Sequence, residues 1–212
     1  MRAGAPAGAP AGAPGGAPGG ASGGPSGDAP PHAWGERAGQ RVGLFVDTQN
    51  LYYAARDAAG RNLDYEQLLR VAVRGRDLHA ATAYVVERAG ESNAHGFITR
   101  LSALGYRVRR RDVRVHRADD QGRTVLEGDW DMGIAADVVR AWDHLDVIVL
   151  ASGDGDFVPI LQLAQERGKR VEVLAFREAS AQTLIDLVDR FIHLGDVDGI
   201  YLPAGRPTEA RA

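Results

Sequence analysis

The sequence contains no cysteine. Disulfides, thiolate zinc sites and a cysteine nucleophile are therefore excluded, and any chemistry falls to carboxylates, hydroxyls or imidazoles. Long apolar runs are missing as well: nothing approaches the ~20 residues of a membrane span, and the N-terminus lacks the basic start and apolar core of a secretory signal. These absences predict a soluble, cytoplasmic protein that does not engage a membrane. Lysine is nearly absent, Lys169 being the one lysine among 25 basic residues. With the heavy Ala, Gly and Pro content this looks like GC-rich coding, which lowers the weight of an arginine cluster as a nucleic-acid signal. The net charge of -3 names no partner by itself.

Proline is scarce where a fold would lie. Seven of the 10 prolines precede residue 32, and Pro159 alone occurs between Ala33 and Leu202. From Met1 to Asp28 the Gly-Ala-Pro repeat offers nothing large enough to pack. Composition thus divides the 212 residues into a disordered leader over 1–38, one domain over 39–204 and a loose tail over 205–212.

Within the domain, short Val/Ile-rich runs (Val42–Val46, Ala80–Val86, Tyr106–Val115, Val147–Leu150, Val171–Phe176) alternate with stretches of helical spacing. The latter are Leu51–Ala59, Leu68–Val73, Phe97–Leu104, Met132–Trp142, Phe157–Ala164 and Leu184–Val188. Gly105 and Gly168 stand where helices should stop, and Ser180 stands where it would cap the last of these helices. Strands apolar on both faces that alternate with helices predict an α/β domain: a Rossmann-like, doubly wound, mainly parallel sheet of about five strands.

In such a sheet ligands bind beyond the C-terminal strand ends. The first strand ends at Asp47 in DTQN, the fourth runs into Ser152-Gly153-Asp154-Gly155-Asp156-Phe157, and a third acidic group opens a helix at Asp129-Trp130-Asp131, with Asp137 further on. Singly, each has a plain reading: Asp47 as the cap of the helix starting at Gln49 or Asn50, and Asp154 or Asp156 as the cap of the helix from Phe157. Together, carboxylates in one crevice repel each other, and a hard divalent cation, Mg²⁺ or Mn²⁺, relieves that cost. Asp131 and Asp137 lie about 120° apart around a helix, so Asp131 is the expected ligand and Asp137 a supporting carboxylate. Rival motifs fail: Val158 breaks a dinucleotide fingerprint, no phosphate-binding P-loop is present, the histidines show no helical pair for zinc, and Ser152 has no histidine relay nearby in the sequence.

Four ordered segments, VGLFVDTQN, EGDWDMGIAADVV, VIVLASGDGDFVPILQLAQERGKRVEVLA and SAQTLIDLVDRFIHL, resemble the motifs of bacterial NYN domains of the LabA type over roughly residues 41–202. The resemblance implies a PIN-like nuclease fold and Mg²⁺- or Mn²⁺-dependent cleavage of RNA. By motif, Asp47, Asp131, Asp154 and Asp156 would form the catalytic, metal-binding acids, with Asn50 and Asp137 in support.

The segment YRVRRRDVRVHR admits two readings. Arg109, Arg110, Arg111 and Arg114 form a phosphate-binding rim for RNA, or they decorate a solvated edge strand. Tyr52, Tyr53 and Trp130 flank the acidic motifs, as packing groups or as surfaces for a base. A metal-dependent ribonuclease is the leading expectation; a non-catalytic RNA-binding or regulatory module, a DNA nuclease and a phosphatase are the alternatives, and a homo-oligomer is compatible with all of them. Deleting residues 1–38 is expected to leave the thermal midpoint and any nuclease activity unchanged, because a Gly-Ala-Pro stretch contributes no core. Hydrogen-exchange protection of its amides would contradict this.

Overall fold

A computed structural model describes residues 38–87, 94–112, 114–116, 125–127 and 130–203. Apart from Ala38, the expected leader and tail lie outside the described residues. The elements run β1 (Arg41–Asp47), α1 (Thr48–Ala59), α2 (Tyr65–Val73), β2 (Asp77–Glu87), α3 (Ala94–Ala103), β3 (Arg107–Asp112), β4 (Arg114–His116) and β5 (Val125–Glu127). They continue with α4 (Asp131–Ala141), β6 (Val147–Ala151), α5 (Val158–Glu166), β7 (Arg170–Ala175), α6 (Gln182–Leu187) and β8 (Arg190–His193). Among the described residues, six strands form one sheet in the order β3-β2-β1-β6-β7-β8, with every neighbouring pair parallel. The strand order reverses between β1 and β6, which is where an open α/β sheet leaves its ligand crevice.

The two-sided apolar runs do what their pattern predicts. Val42, Leu44 and Val46 of β1 and Val147 and Val149 of β6 share one core with Leu51 of α1, Leu68 of α2 and Leu101 of α3. Phe45, Ile148 and Leu150 point the other way and pack with Ile134 and Val138 of α4, Leu161 of α5 and Leu184 of α6. Helices thus cover both faces, as the alternation requires. Gly105 and Gly168 follow α3 and α5 with positive φ of 92° and 72°, the left-handed geometry that ends a helix with little strain only at glycine. Among the described residues no helix is long and apolar enough to cross a membrane.

The structure departs from the expected pattern in three places. The stretch Tyr106–Val115 is not one strand: β3 stops at Asp112, and Arg114–His116 pairs antiparallel with Val125–Glu127 in a separate ribbon. A sixth strand, β8, extends the sheet beyond β7; the apolar run after α6 turns back into extended pairing at Arg190. Ser180 does not cap α6, since Ala181 holds that position and the Ser180 hydroxyl donates to the Phe176 carbonyl.

A buried ion pair sits inside the core. Glu172 of β7 is fully buried and faces Arg76, whose guanidinium donates to both of its oxygens at 3.0 and 2.9 Å and also to the Ala72 and Val73 carbonyls at the end of α2. Arg170 adds a third contact at 2.7 Å. Burial opposes ionisation of Glu172, but the hydrogen bonds from Arg76 and Arg170 outweigh it and hold the carboxyl below its ordinary range. Glu172→Gln should therefore destabilise the fold by about 3–5 kcal/mol by leaving Arg76 buried without its counter-charge. Replacing both Arg76 and Glu172 by Met should cost far less, because no charge is then stranded. Urea unfolding measures both; a single variant no less stable than the double one would refute the account.

Candidate active site

The switch point is furnished by four short segments. Asp47 closes β1 and is the N-cap of α1: its Oδ1 accepts from the Asn50 backbone N–H at 3.1 Å, so the sequence reading of this residue as a cap is correct locally. The Asn50 side chain then accepts from the Gly153 N–H at 2.9 Å, joining the first turn of α1 to the loop after β6. Within that loop the buried Ser152 hydroxyl donates to Asp47 Oδ2 at 3.4 Å and accepts from the Asp154 N–H at 3.2 Å. Asp154 in turn caps the short 3-10 turn at Gly155–Phe157 by accepting from the Asp156 N–H. Ser152 is thus a brace between two carboxylates.

The glycines of the Ser-Gly-Asp-Gly-Asp loop have a steric reason unrelated to phosphate binding. A Cβ at Gly153 would stand 2.5 Å from the Ala179 carbonyl oxygen and 2.7 Å from Ser180 Oγ, and one at Gly155 would meet Ala181 Cβ at 2.8 Å. The connection after β7 therefore presses directly on the acidic loop, and the Ala181 N–H donates to the Gly153 carbonyl at 3.0 Å. Bulk at either glycine would push the aspartates out of register.

Asp131 is the first residue of α4, and the structure brings it to Asp154 and Asp156: one carboxylate oxygen from each lies within 4.8 Å of the others. Asp156 is exposed, whereas Asp131 and Asp154 are half-buried. Asp47, Asn50, Asp131 and Asp154 line one cavity of about 320 Å³ together with Gln49, Tyr53, Asp57, Val86, Trp130 and Ala179. No lysine, arginine or histidine is among the described residues lining it. The Asp47 carboxyl is raised above its ordinary range, first by burial and further by the nearby charge of Asp154, against the lowering effect of the Asn50 and Gln49 backbone N–H groups. Clustered carboxylate oxygens without imidazole or thiolate are the donor set that hard divalent cations prefer, so Mg²⁺ or Mn²⁺ fits these residues.

Asp137 lies elsewhere. It is buried on the inner side of α4, where it accepts from the Tyr84 hydroxyl at 2.9 Å and pairs with Arg109 at 2.6 Å and Arg140 at 2.8 Å. These contacts tie α4 to β2 and β3 and thereby fix where α4 begins, at Asp131. The arginines of β3 have separate fates. Arg109 is held by Asp137, Arg110 approaches Glu87 at 3.8 Å, and the Arg111 guanidinium stacks on Trp130 at 4.6 Å from the ring centre. Arg114 is in β4, with its side chain outside the described residues. Gln49 and Asp57 were not singled out from the sequence; their spacing of four on either side of Tyr53, which was, is the signal that places all three on one face of α1.

A parallel, doubly wound sheet with acids gathered at its switch point is the architecture of a PIN-like, nuclease-type domain. The sequence profile of the NYN domain matches residues 41–195, and the chain belongs to that family. It is of the LabA type: the Low amplitude and bright protein LabA of Synechococcus elongatus is 26% identical over 169 residues, which cover 79% of this chain and 90% of that protein. The solved structure of a protein of unknown function from Vibrio parahaemolyticus aligns with a TM-score of 0.68 at 30% identity, over 80% of this chain and 99% of that one.

The raised Asp47 carboxyl has a measurable consequence. The folded state holds this proton more tightly than the unfolded chain, so stability falls as pH rises through the interval above the ordinary Asp value and stays lowered at neutral pH. Asp47→Asn keeps a good N-cap and removes the half-buried charge. Its thermal midpoint without divalent ions should exceed that of the parent at pH 7, by about 2–4 °C for each kcal/mol released, and the gap should narrow toward pH 4. A lower midpoint at pH 7 would contradict this.

Proposed function

We propose that this chain is a divalent-metal-dependent ribonuclease. The observation that carries the reading is the convergence of Asp131, Asp154 and Asp156 beside the half-buried Asp47, at the switch point of a nuclease-type NYN domain. Asp131, Asp154 and Asp156 would hold Mg²⁺ or Mn²⁺, and Asp47 contributes the fourth negative charge. When bound, the ion supplies charge neutralisation at the scissile phosphate and activates water at neutral pH.

The chain's own residues supply positioning. Asn50 and Ser152 fix the acidic loop against the start of α1, and Asp137 sets the position of α4. The four aspartates of the cavity leave a bare phosphodiester no favourable way in, which makes the cation a condition of substrate binding as well as of chemistry. The NYN assignment supports RNA over DNA; the cavity residues alone do not distinguish the two sugars.

Asp154→Asn is the decisive variant. It retains side-chain hydrogen-bonding capacity but loses a ligand charge, so cleavage of RNA in Mn²⁺ should fall roughly 100-fold or more, with the metal-free thermal midpoint unchanged or raised. Wild-type turnover in this variant would place the chemistry elsewhere. Tight RNA binding by the parent with no cleavage in any divalent ion would favour a non-catalytic binding module, and parallel DNA substrates decide the sugar.

A further inference from the structure

Resting on the nuclease reading, we infer that Tyr53 is the platform on which an unpaired base of the substrate stacks beside the acidic centre, so that the chain acts on single-stranded RNA. Charge decides which part of a nucleotide this side of the cavity can take. Asp47, Asp57, Asp131 and Asp154 line the cavity, and no described residue lining it is cationic. A divalent ion on Asp131, Asp154 and Asp156 would answer to the phosphate that is cut. The wall contributed by α1 beyond Asn50 is different: it offers Tyr53 and Ala54 and then the carboxylate of Asp57, which repels a further phosphate. Tyr53 is six residues on from the Asp47 cap, ~9 Å along the helix axis. At that remove from the acids, the neutral base is the part of a neighbouring nucleotide that α1 can receive.

Three aromatic side chains stand near the acids, and their contacts separate them. Trp130 is committed to the fold: its indole N–H donates to the Val85 carbonyl at 3.0 Å, its ring meets the buried Tyr84 at 5.4 Å, and the Arg111 guanidinium lies over it. Tyr52 is half-buried, is not among the residues lining the cavity, and carries the Arg56 guanidinium over its ring at 5.5 Å. Tyr53 lines the cavity and stays 46% exposed, more than any other aromatic side chain among the described residues. Its ring meets that of Tyr52 edge-on, with centroids 5.4 Å apart and planes at 74°. Such a contact steadies a ring without drawing it into the core.

A ring in this place selects for strandedness. In a duplex the faces of each base are covered by its stacked neighbours, and a protein side chain stacks on a base only where the strand is unpaired and the base can be splayed out. Every base has a π-face, so stacking on Tyr53 favours single strands and leaves sequence almost unread. Tyr53 is thus a specificity-determining residue that touches a base and not the reacting bond.

Stacking releases no counterions, which separates it experimentally from a phosphate contact. For the full chain, binding would be measured across salt in Ca²⁺, and cleavage in Mn²⁺, with a single-stranded RNA dodecamer, its DNA counterpart, the RNA duplex, and a series of RNA dodecamers each carrying one abasic position. Tyr53→Leu, which keeps a good helix former, should weaken single-strand binding roughly tenfold with an unchanged log-log salt slope, raising KM while kcat stays within about twofold. Tyr53→Phe retains the ring and should match the parent. One abasic position should weaken binding to the parent by a similar factor and cost nothing further in Tyr53→Leu, a coupling that a merely structural role would not produce. If the parent cleaves RNA but Tyr53→Leu keeps its affinity and KM, or the abasic penalty is the same in both proteins, or the duplex is bound and cut as well as the single strand, this inference falls and the nuclease reading stands. A parent that neither binds nor cleaves RNA or DNA would overturn both.

Discussion

The site depends on a conflict at Asp47. This one residue ends the central strand, caps the helix that follows, and keeps a carboxyl largely out of water beside Asp154. The cap favours the ionised form, because backbone N–H groups of α1 point at its oxygen; burial and the neighbouring acid favour the neutral form, and they win. A fold gains nothing from such an arrangement by itself. Any good cap would start α1, and a serine or asparagine would do so without the electrostatic cost. On the ribonuclease reading the excess of negative charge answers to what the cavity would receive, a divalent cation, which would turn the cost into binding energy.

Holding several repelling groups together needs rigid surroundings, and these come from outside the cavity. The connection after β7 is wedged against Gly153 and Gly155 so closely that no side chain fits between. On the other flank, Asp137 binds Tyr84, Arg109 and Arg140, and so locks α4 to the sheet with a buried carboxylate whose charge is locally met. Two aspartates six residues apart on one helix thus have different surroundings: Asp137 is held by Tyr84, Arg109 and Arg140, and Asp131 lies beside Asp154 and Asp156. The buried Arg76–Glu172 pair repeats the first of these solutions on the other face of the sheet.

Much of this was legible in the residues. Runs such as VGLFV and VIVLA can only be central parallel strands, and once they are placed, the residues that follow them must fall at one edge, which put Asp47 and Asp154 together before any geometry was known. The approach of Asp131 to that edge was legible in part, from its place at the start of a helical pattern. What escaped has physical reasons. RFIH is a four-residue strand beside a six-residue helix, and periods of two and 3.6 are hardly separable over so short a span. The break between β3 and β4 falls in a run where arginine and valine alternate without interruption, so periodicity gave no sign of it. The fate of Asp137 required knowing that Tyr84 and Arg109, distant in sequence, face it across two strands.

The arginine-rich strand shows why composition could not decide its role. As a tract it admits two readings, a solvated edge and a phosphate rim. Pairing β3 with β2 in a fixed register removes that ambiguity residue by residue, because alternate side chains go to opposite faces and meet different partners. Arg109 then belongs to the internal bracing of α4, and Arg110 to the far face with Glu87. Arg111 alone of these three is set against an aromatic wall of the acidic cavity. The two-residue period of β3 therefore decides which partners each arginine meets.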